Sequence, residues 1–334
     1  MVSAVIFVAT SCVSPLTGFA FWETNLAYEG ESIYNYLQVK NLSDRTILST
    51  NVLFGVQSVT MKDKGLTGMY YDTALAAPAL ADNANSALIL GMGTGTYARQ
   101  LKQYYPKMNI TGVEIDQKIT DLAGEYFDEP ADIPVTTYDG RAWLAASHDK
   151  YDVIMVDAYQ DITIPFQMSS TEFFTMVREH LNPGGVMVVN MNMISDGQGS
   201  INEALSDTIA SVFGNGNTLT ADVPNTTNRE LFAKKPGSGS EENSMQQASK
   251  ALNLRETTYE RTGSEDLEWY MEEVASRFRK VNEPDSASTI LTDDKAPVEV
   301  LGMHAIDQII ADEAGPYRQI LKDEGFGGLL RVVQ

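Results

Sequence analysis

The stretch Leu88-Ile89-Leu90-Gly91-Met92-Gly93-Thr94-Gly95-Thr96 decides the fold. A short apolar run leads straight into a glycine-rich turn, and a helical pattern starts at about Tyr97. Such a run suits a strand buried on both faces of a parallel sheet. Glycines in the turn let a ligand approach the backbone closely, and the following helix presents unpaired N–H groups. A tight turn without any ligand is the alternative reading of the same residues. The next strand bears on it: Val113-Glu114-Ile115-Asp116 places a carboxylate about 20 residues after the glycines, the spacing at which it accepts ribose hydroxyls. Thr96 stands where a dinucleotide fold wants a third glycine beside a pyrophosphate, so a single nucleoside is the expected ligand.

Working outward, strands at 86–90, 110–115, 135–138, 151–156 and 186–190 alternate with helical patterns such as 171–181, and Pro183-Gly184-Gly185 reads as the turn before the fifth strand. That alternation predicts an α/β, Rossmann-like, doubly wound parallel sheet. Before it, 33–39 and 45–50 carry β-type alternation and predict a small N-terminal antiparallel sheet, followed by a helical run over 70–81. The segment 236–243 is polar and rich in Gly and Ser, so the sheet domain is expected to close near Lys235. Amphipathic patterns at 265–280 and 304–312 predict a helical C-terminal extension. The expected divisions are 1–22, hydrophobic; 23–69, β-rich; 70–235, nucleoside-binding; and 236–334, linker and helical extension.

Carboxylates gather at the predicted strand ends. Asp139, followed by Gly140, ends the third strand, where it would accept a hydrogen bond from an adenine amino group, and Asp157 ends the fourth. Several carboxylates around one crevice repel pyrophosphate but suit an adenosine that carries a sulfonium centre. The expected ligand is therefore S-adenosylmethionine or its decarboxylated form, with Gly91, Gly93, Thr94 and Gly95 in its loop. Tyr34, Tyr70, Tyr71 and Tyr159 would wall a substrate pocket by stacking and cation–π contact, or simply pack a β-rich edge. Asp293 and Asp294 read as a cap or turn.

Composition bounds the rest. The 334 residues are 43% hydrophobic and 21% charged, with a formal net charge of -21. That is the balance of a folded chain, and the acidity argues against a nucleic-acid partner. The one cysteine, Cys12, cannot form an internal disulfide, and His148, His180 and His304 are too scattered to predict a metal site. Residues 2–22 are apolar or small and carry no charge. The first basic residue is Lys40, which disfavours a cleaved signal peptide. A membrane helix is the expectation and a buried hydrophobic arm the alternative.

Taken in order, the glycine-rich loop, Val113-Glu114-Ile115-Asp116, Asp139-Gly140-Arg141-Ala142-Trp143-Leu144 and Tyr151-Asp152-Val153-Ile154-Met155-Val156-Asp157 resemble the spermidine synthase (polyamine aminopropyltransferase) family. So do Phe54-Gly55-Val56-Gln57-Ser58 and Tyr70-Tyr71-Asp72, while 291–299 resembles the spermidine-synthase-like proteins fused to membrane transporters. The resemblance implies a class I S-adenosylmethionine-binding fold in which Gln57 contacts the nucleoside, Glu114 the ribose and Asp139 the adenine. Asp157 would be the general base and Asp161 a second catalytic acid, with Tyr70, Asp72 and Tyr159 toward the substrate. The implied reaction is aminopropyl transfer to a small amine with release of 5'-methylthioadenosine. Methyl transfer to another small acceptor, or cleavage of S-adenosylmethionine without an amine, is the alternative. Two departures stand out: the family's loop carries Asp where this chain has Thr94, and its second catalytic Asp falls at position 160, which is Gln here. A cytoplasmic catalytic domain, anchored through the N-terminal segment and paired as a homodimer, completes the expectation.

Overall fold

The computed structural model describes residue 20 and residues 23–51, 56–128, 130, 132–158, 164–191, 197, 199–224, 226–237, 254–284 and 288–304. Strands β1 (Leu26–Glu31), β2 (Tyr36–Asn41), β3 (Arg45–Thr50) and β4 (Ser58–Met61) form an antiparallel sheet in that order. Alternation in β2 and β3 sends Leu37, Val39 and Leu48 inward onto Ile119, Leu122 and Phe127. The strand expected from residue 33 starts at Tyr36 because Ser32 makes a turn: its hydroxyl accepts from the Asn35 N–H and its own N–H donates to the Asn35 carbonyl.

The helical run at 70–81 is two short helices, α1 (Tyr70–Ala74) and α2 (Ala76–Leu80). Pro78 has no N–H to give the Ala74 carbonyl, and the Tyr97 hydroxyl donates to that carbonyl instead, at 3.0 Å. There follow β5 (Ser86–Leu90), α3 (Thr96–Tyr104), β6 (Asn109–Glu114), α4 (Gln117–Tyr126), β7 (Val135–Thr137), α5 (Gly140–Ala146), β8 (Tyr151–Val156), α6 (Thr171–His180), β9 (Leu181–Met191), α7 (Ile201–Phe213), β10 (Thr218–Asp222) and β11 (Arg229–Lys234). The helices α8 (Leu254–Thr262) and α9 (Glu265–Ser276) and the strand β12 (Phe278–Lys280) follow, and a helical stretch over 298–304 ends the described chain.

The main sheet has the order β12-β10-β11-β9-β8-β5-β6-β7. Its strands β9, β8, β5, β6 and β7 are parallel, as the alternation predicts, while β11, β10 and β12 are added antiparallel. The sheet is thus mixed. Ala87, Ile89, Val153, Met155, Val188 and Phe232 face one core, and Leu88, Leu90, Ile154, Val156, Val189 and Leu231 face the other. Burial on both faces explains the unbroken apolar runs.

Pro183-Gly184-Gly185 lies inside β9 rather than before it. The pairing with β8 shifts register between Tyr151 and Val153, and Gly184 takes φ +79, so the chain bulges there without leaving the sheet. The C-terminal extension is mainly helical through Ser276, and the segment after it joins the sheet as β12, where Phe278 meets Phe232 edge to face at 5.8 Å. Leu254, Leu267, Met271 and Val274 share a core with α1 and α2. Past residue 235, β12 thus adds to the same sheet and α8 and α9 pack on the same core. Among the described residues no helix is long and apolar enough to cross a membrane. The membrane segment expected over 2–22 lies outside the described residues apart from Ala20, as does the helix expected over 304–312 apart from His304.

Candidate functional site

The carboxyl ends of β5, β6 and β8 open into a cleft of about 290 Å³ whose lining includes Gln57, Gly91, Gly93, Glu114, Asp139, Gly140 and Asp157. A parallel α/β sheet concentrates ligand sites at this edge. Two glycines set its shape. A Cβ at Gly91 would lie 2.4 Å from the Asp157 carbonyl oxygen, and one at Gly93 2.8 Å from Ser58 Oγ; both residues have positive φ, +86 and +56. Only glycine lets the loop approach β8 and β4 so closely.

Glu114 is 7% exposed and receives the Gly93 N–H on Oε2 at 2.7 Å and the Asp116 N–H on Oε1 at 3.0 Å. Burial pushes its carboxyl above the usual range, and these N–H bonds oppose that shift. Asp116 caps α4 and takes Ser32 Oγ at 2.5 Å and Asn35 Nδ2 at 2.9 Å. It thereby clamps the small sheet to the cleft and brings Tyr34 and Asn35 to its wall. Asp139 caps α5 through the Ala142 N–H at 2.7 Å.

Asp157 sits at the centre. Its Oδ1 accepts from Asn190 Nδ2 at 3.0 Å and its Oδ2 lies 2.7 Å from the Tyr70 hydroxyl. The Tyr70 hydroxyl is also 2.6 Å from that of Tyr71, which lies 2.7 Å from the Gln57 carbonyl oxygen. Asp157 to Tyr70, Tyr70 to Tyr71 and Tyr71 to Gln57 make three contacts, but the two phenols bring only two protons. A proton on Asp157 completes the series. Burial pushes this carboxyl up to about 7, with the Tyr70 and Asn190 hydrogen bonds opposing and the Glu114 charge adding to the rise. The group is therefore poised to exchange a proton at neutral pH.

Other expected residues fall elsewhere. Asp72 is fully buried and does not line the cleft: Thr67 N, Thr67 Oγ1, Gly68 N and Gln100 Nε2 all donate to it, so it ties the turn before α1 to α3. Thr94 is also fully buried and does not line the cleft, its Oγ1 having no hydrogen-bond partner. Gly95, at φ +82, precedes α3 outside the lining. Tyr159 and Asp161 lie outside the described residues. Ser58, Tyr138, Met168 and Asn190 went unassigned in the sequence, although Asn190 ends a predicted strand as Asp157 does, and that position was the available signal.

Asp293, read as a cap or turn, does more. Arg141 holds it in a two-pronged ion pair at 2.7 and 2.6 Å and also donates to the Gln167 carbonyl at 2.7 Å, while Ser170 donates to Asp293 at 2.5 Å. This clasp steadies Pro165, Gln167 and Met168, which line the cleft. Exposed pairs contribute up to about 1 kcal/mol. Asp293→Asn is therefore expected to weaken nucleoside binding by up to about 5-fold with little change in turnover, which calorimetry with 5'-methylthioadenosine checks.

Among the described residues, the cleft lining has Glu114, Asp139 and Asp157 but no Lys, Arg or His. An acidic cleft of this size at the carboxyl edge of a Rossmann-like sheet has the form of a small-molecule site. Residues 69–235, half of the chain, match the spermine/spermidine synthase domain. Over all 334 residues the chain is 99% identical to the "Probable polyamine aminopropyl transferase" of Bifidobacterium longum, spanning 75% of that protein. It is 28% identical over 209 residues to the polyamine aminopropyltransferase of Vibrio vulnificus, which covers 60% of this chain and 69% of the relative. A probable spermidine synthase structure from Corynebacterium glutamicum superposes with a TM-score of 0.55 at 22% identity, covering 80% of this chain and 99% of that one. A spermidine synthase in complex with the transition-state analogue AdoDATO gives 0.51 at 19% identity, covering 63% and 74%. These two likenesses show the fold. The chain belongs to the spermine/spermidine synthase family.

Proposed function

We propose that this protein transfers an aminopropyl group from decarboxylated S-adenosylmethionine to an amine, releasing 5'-methylthioadenosine. The observation that carries the reading is Asp157, a half-buried carboxyl pushed up to about 7, at the junction of the acidic cleft and the Tyr70 hydroxyl. The sulfonium makes the adjacent carbon electrophilic, and the residues do the rest. Glu114 accepts the ribose hydroxyls, Asp139 the adenine amino group, and Gln57 with the Gly91 and Gly93 backbone encloses the nucleoside. Asp157 takes a proton from the attacking nitrogen as the new C–N bond forms. The C–S bond breaks, its electron pair stays on sulfur, and the thioether leaves neutral. Only an unprotonated amine attacks, so the base contributes directly to the rate, and holding nitrogen and carbon in line contributes more.

The test is product analysis of the purified chain. 5'-Methylthioadenosine and a lengthened amine, formed in equal amounts from decarboxylated S-adenosylmethionine and a diamine, are the expected outcome. Formation of 5'-methylthioadenosine from intact S-adenosylmethionine with no amine, or of S-adenosylhomocysteine, would replace this reading.

A further inference from the structure

Glu230, on β11, is a buried acid left without a partner. It is 0% exposed and neither carboxylate oxygen makes a hydrogen bond. A polar group in that condition is costly to bury and a charged one more so. Its placement connects it to the reaction. Glu230 lies directly opposite Asn190 in the antiparallel pairing of β11 with β9, so both side chains rise from one face of the sheet with Cβ atoms about 5 Å apart. Asn190 in turn donates to Asp157. Asp157 and Glu230 thus stand two strands apart, about 10 Å along the sheet, with Asn190 between them.

Among the described residues, no positive charge figures among the groups acting on Glu230. The charge acting on it is that of Asp157, and Tyr97 of α3 and Tyr270 of α9 are the titratable side chains whose ionisation it opposes. Burial, with the Asp157 carboxylate adding to it, pushes its carboxyl well above the usual range and so favours the protonated form. The second acid that the family resemblance expects after Asp157 is missing at its own position, where Gln160 stands.

We propose that Glu230 supplies the missing charge: it receives the distal ammonium of a diamine or longer polyamine whose near nitrogen lies at Asp157. This inference rests on aminopropyl transfer as the reaction. As the ammonium arrives, Glu230 releases its proton to solvent and a buried ion pair replaces a buried neutral acid. Such a pair is favourable only when each charge has its partner, so a monoamine leaves Glu230 protonated and gains nothing from it. The acceptor is therefore selected by charge at its far end.

Calorimetry on the full chain, with 5'-methylthioadenosine bound, tests this with putrescine and butylamine in two buffers of different ionisation heat. The measurement is made at about pH 8.5, where Asp157 is already ionised. Glu230→Gln is expected to bind putrescine at least about tenfold more weakly, to bind butylamine as the unaltered protein does, and to release about one proton fewer per putrescine. Glu230→Asp, which keeps the charge but shortens the reach, is expected to retain the proton release with intermediate affinity. Equal putrescine affinity and proton release in the unaltered and Gln proteins, or equal weakening toward both amines, would overturn the assignment. If Glu230-dependent binding and proton release persist while no amine yields product, the assignment stands and aminopropyl transfer is the part that fails.

Discussion

Asp157→Asn is expected to lower turnover about 100-fold or more while leaving affinity for 5'-methylthioadenosine nearly intact, the scale of a lost general base. The substitution suits the site. An Asn amide donates to the Tyr70 oxygen and accepts from Asn190 Nδ2, as a protonated Asp157 would, so all three contacts from residue 157 to the Gln57 carbonyl keep a proton. The loss should therefore be chemical rather than structural. In the unaltered protein, kcat/KM should fall below about pH 7 as the carboxyl of the free enzyme takes up a proton. Stability runs the other way. A folded pKa near 7, against an ordinary 3.8, means that the native state binds more protons between those values. This contribution is fully present below about pH 4, is lost as pH rises toward 7 and stays lost above it, and amounts to roughly 4 kcal/mol. Asp157→Asn removes the ionisation, so urea unfolding should find the variant at least as stable as the unaltered protein at neutral to alkaline pH. A variant that keeps its turnover would remove Asp157 from the chemistry.

Glu114→Gln is the second large effect, with an expected loss of about 1.5 to 3 kcal/mol in nucleoside affinity, the range for a hydrogen bond to a charged group. Because both carboxylate oxygens already accept backbone N–H groups, from Gly93 and Asp116, the carboxylate is held at the cleft wall before any ligand arrives. Gln cannot accept on both sides, so part of the loss would come from a loosened loop. A nucleoside lacking both ribose hydroxyls separates the two contributions. The Glu114→Gln penalty should largely vanish with that ligand if the carboxylate binds ribose, and should remain if it acts only on the Gly93 turn.

Much of the cleft was legible in residues 88–157. Apolar runs bounded by glycine specify parallel strands because both faces of such a strand are buried, and acids at the run ends must then meet at one sheet edge. Glu114, Asp139, Asp157 and the two glycines of closest approach, Gly91 and Gly93, follow from that local rule. The rule fails for Asp72 and Thr94. Both are adjacent in sequence to residues that line or flank the cleft, but the path of the backbone turns their side chains into the interior, and no spacing reveals which way a turn will point.

The sequence by itself determined the sheet, the order of its parallel strands along the chain and the acidity of the crevice, because each depends on short-range pattern and on residue type. Tertiary structure alone decided what surrounds Asp157. Tyr70 comes from a helix 87 residues earlier, Asn190 from a strand 33 residues later, and Glu230 reaches the same face only because β11 pairs antiparallel with β9. The charge state of each carboxylate depends on how much water those distant segments exclude and on which donors they bring, and neither is a property of any local stretch of chain.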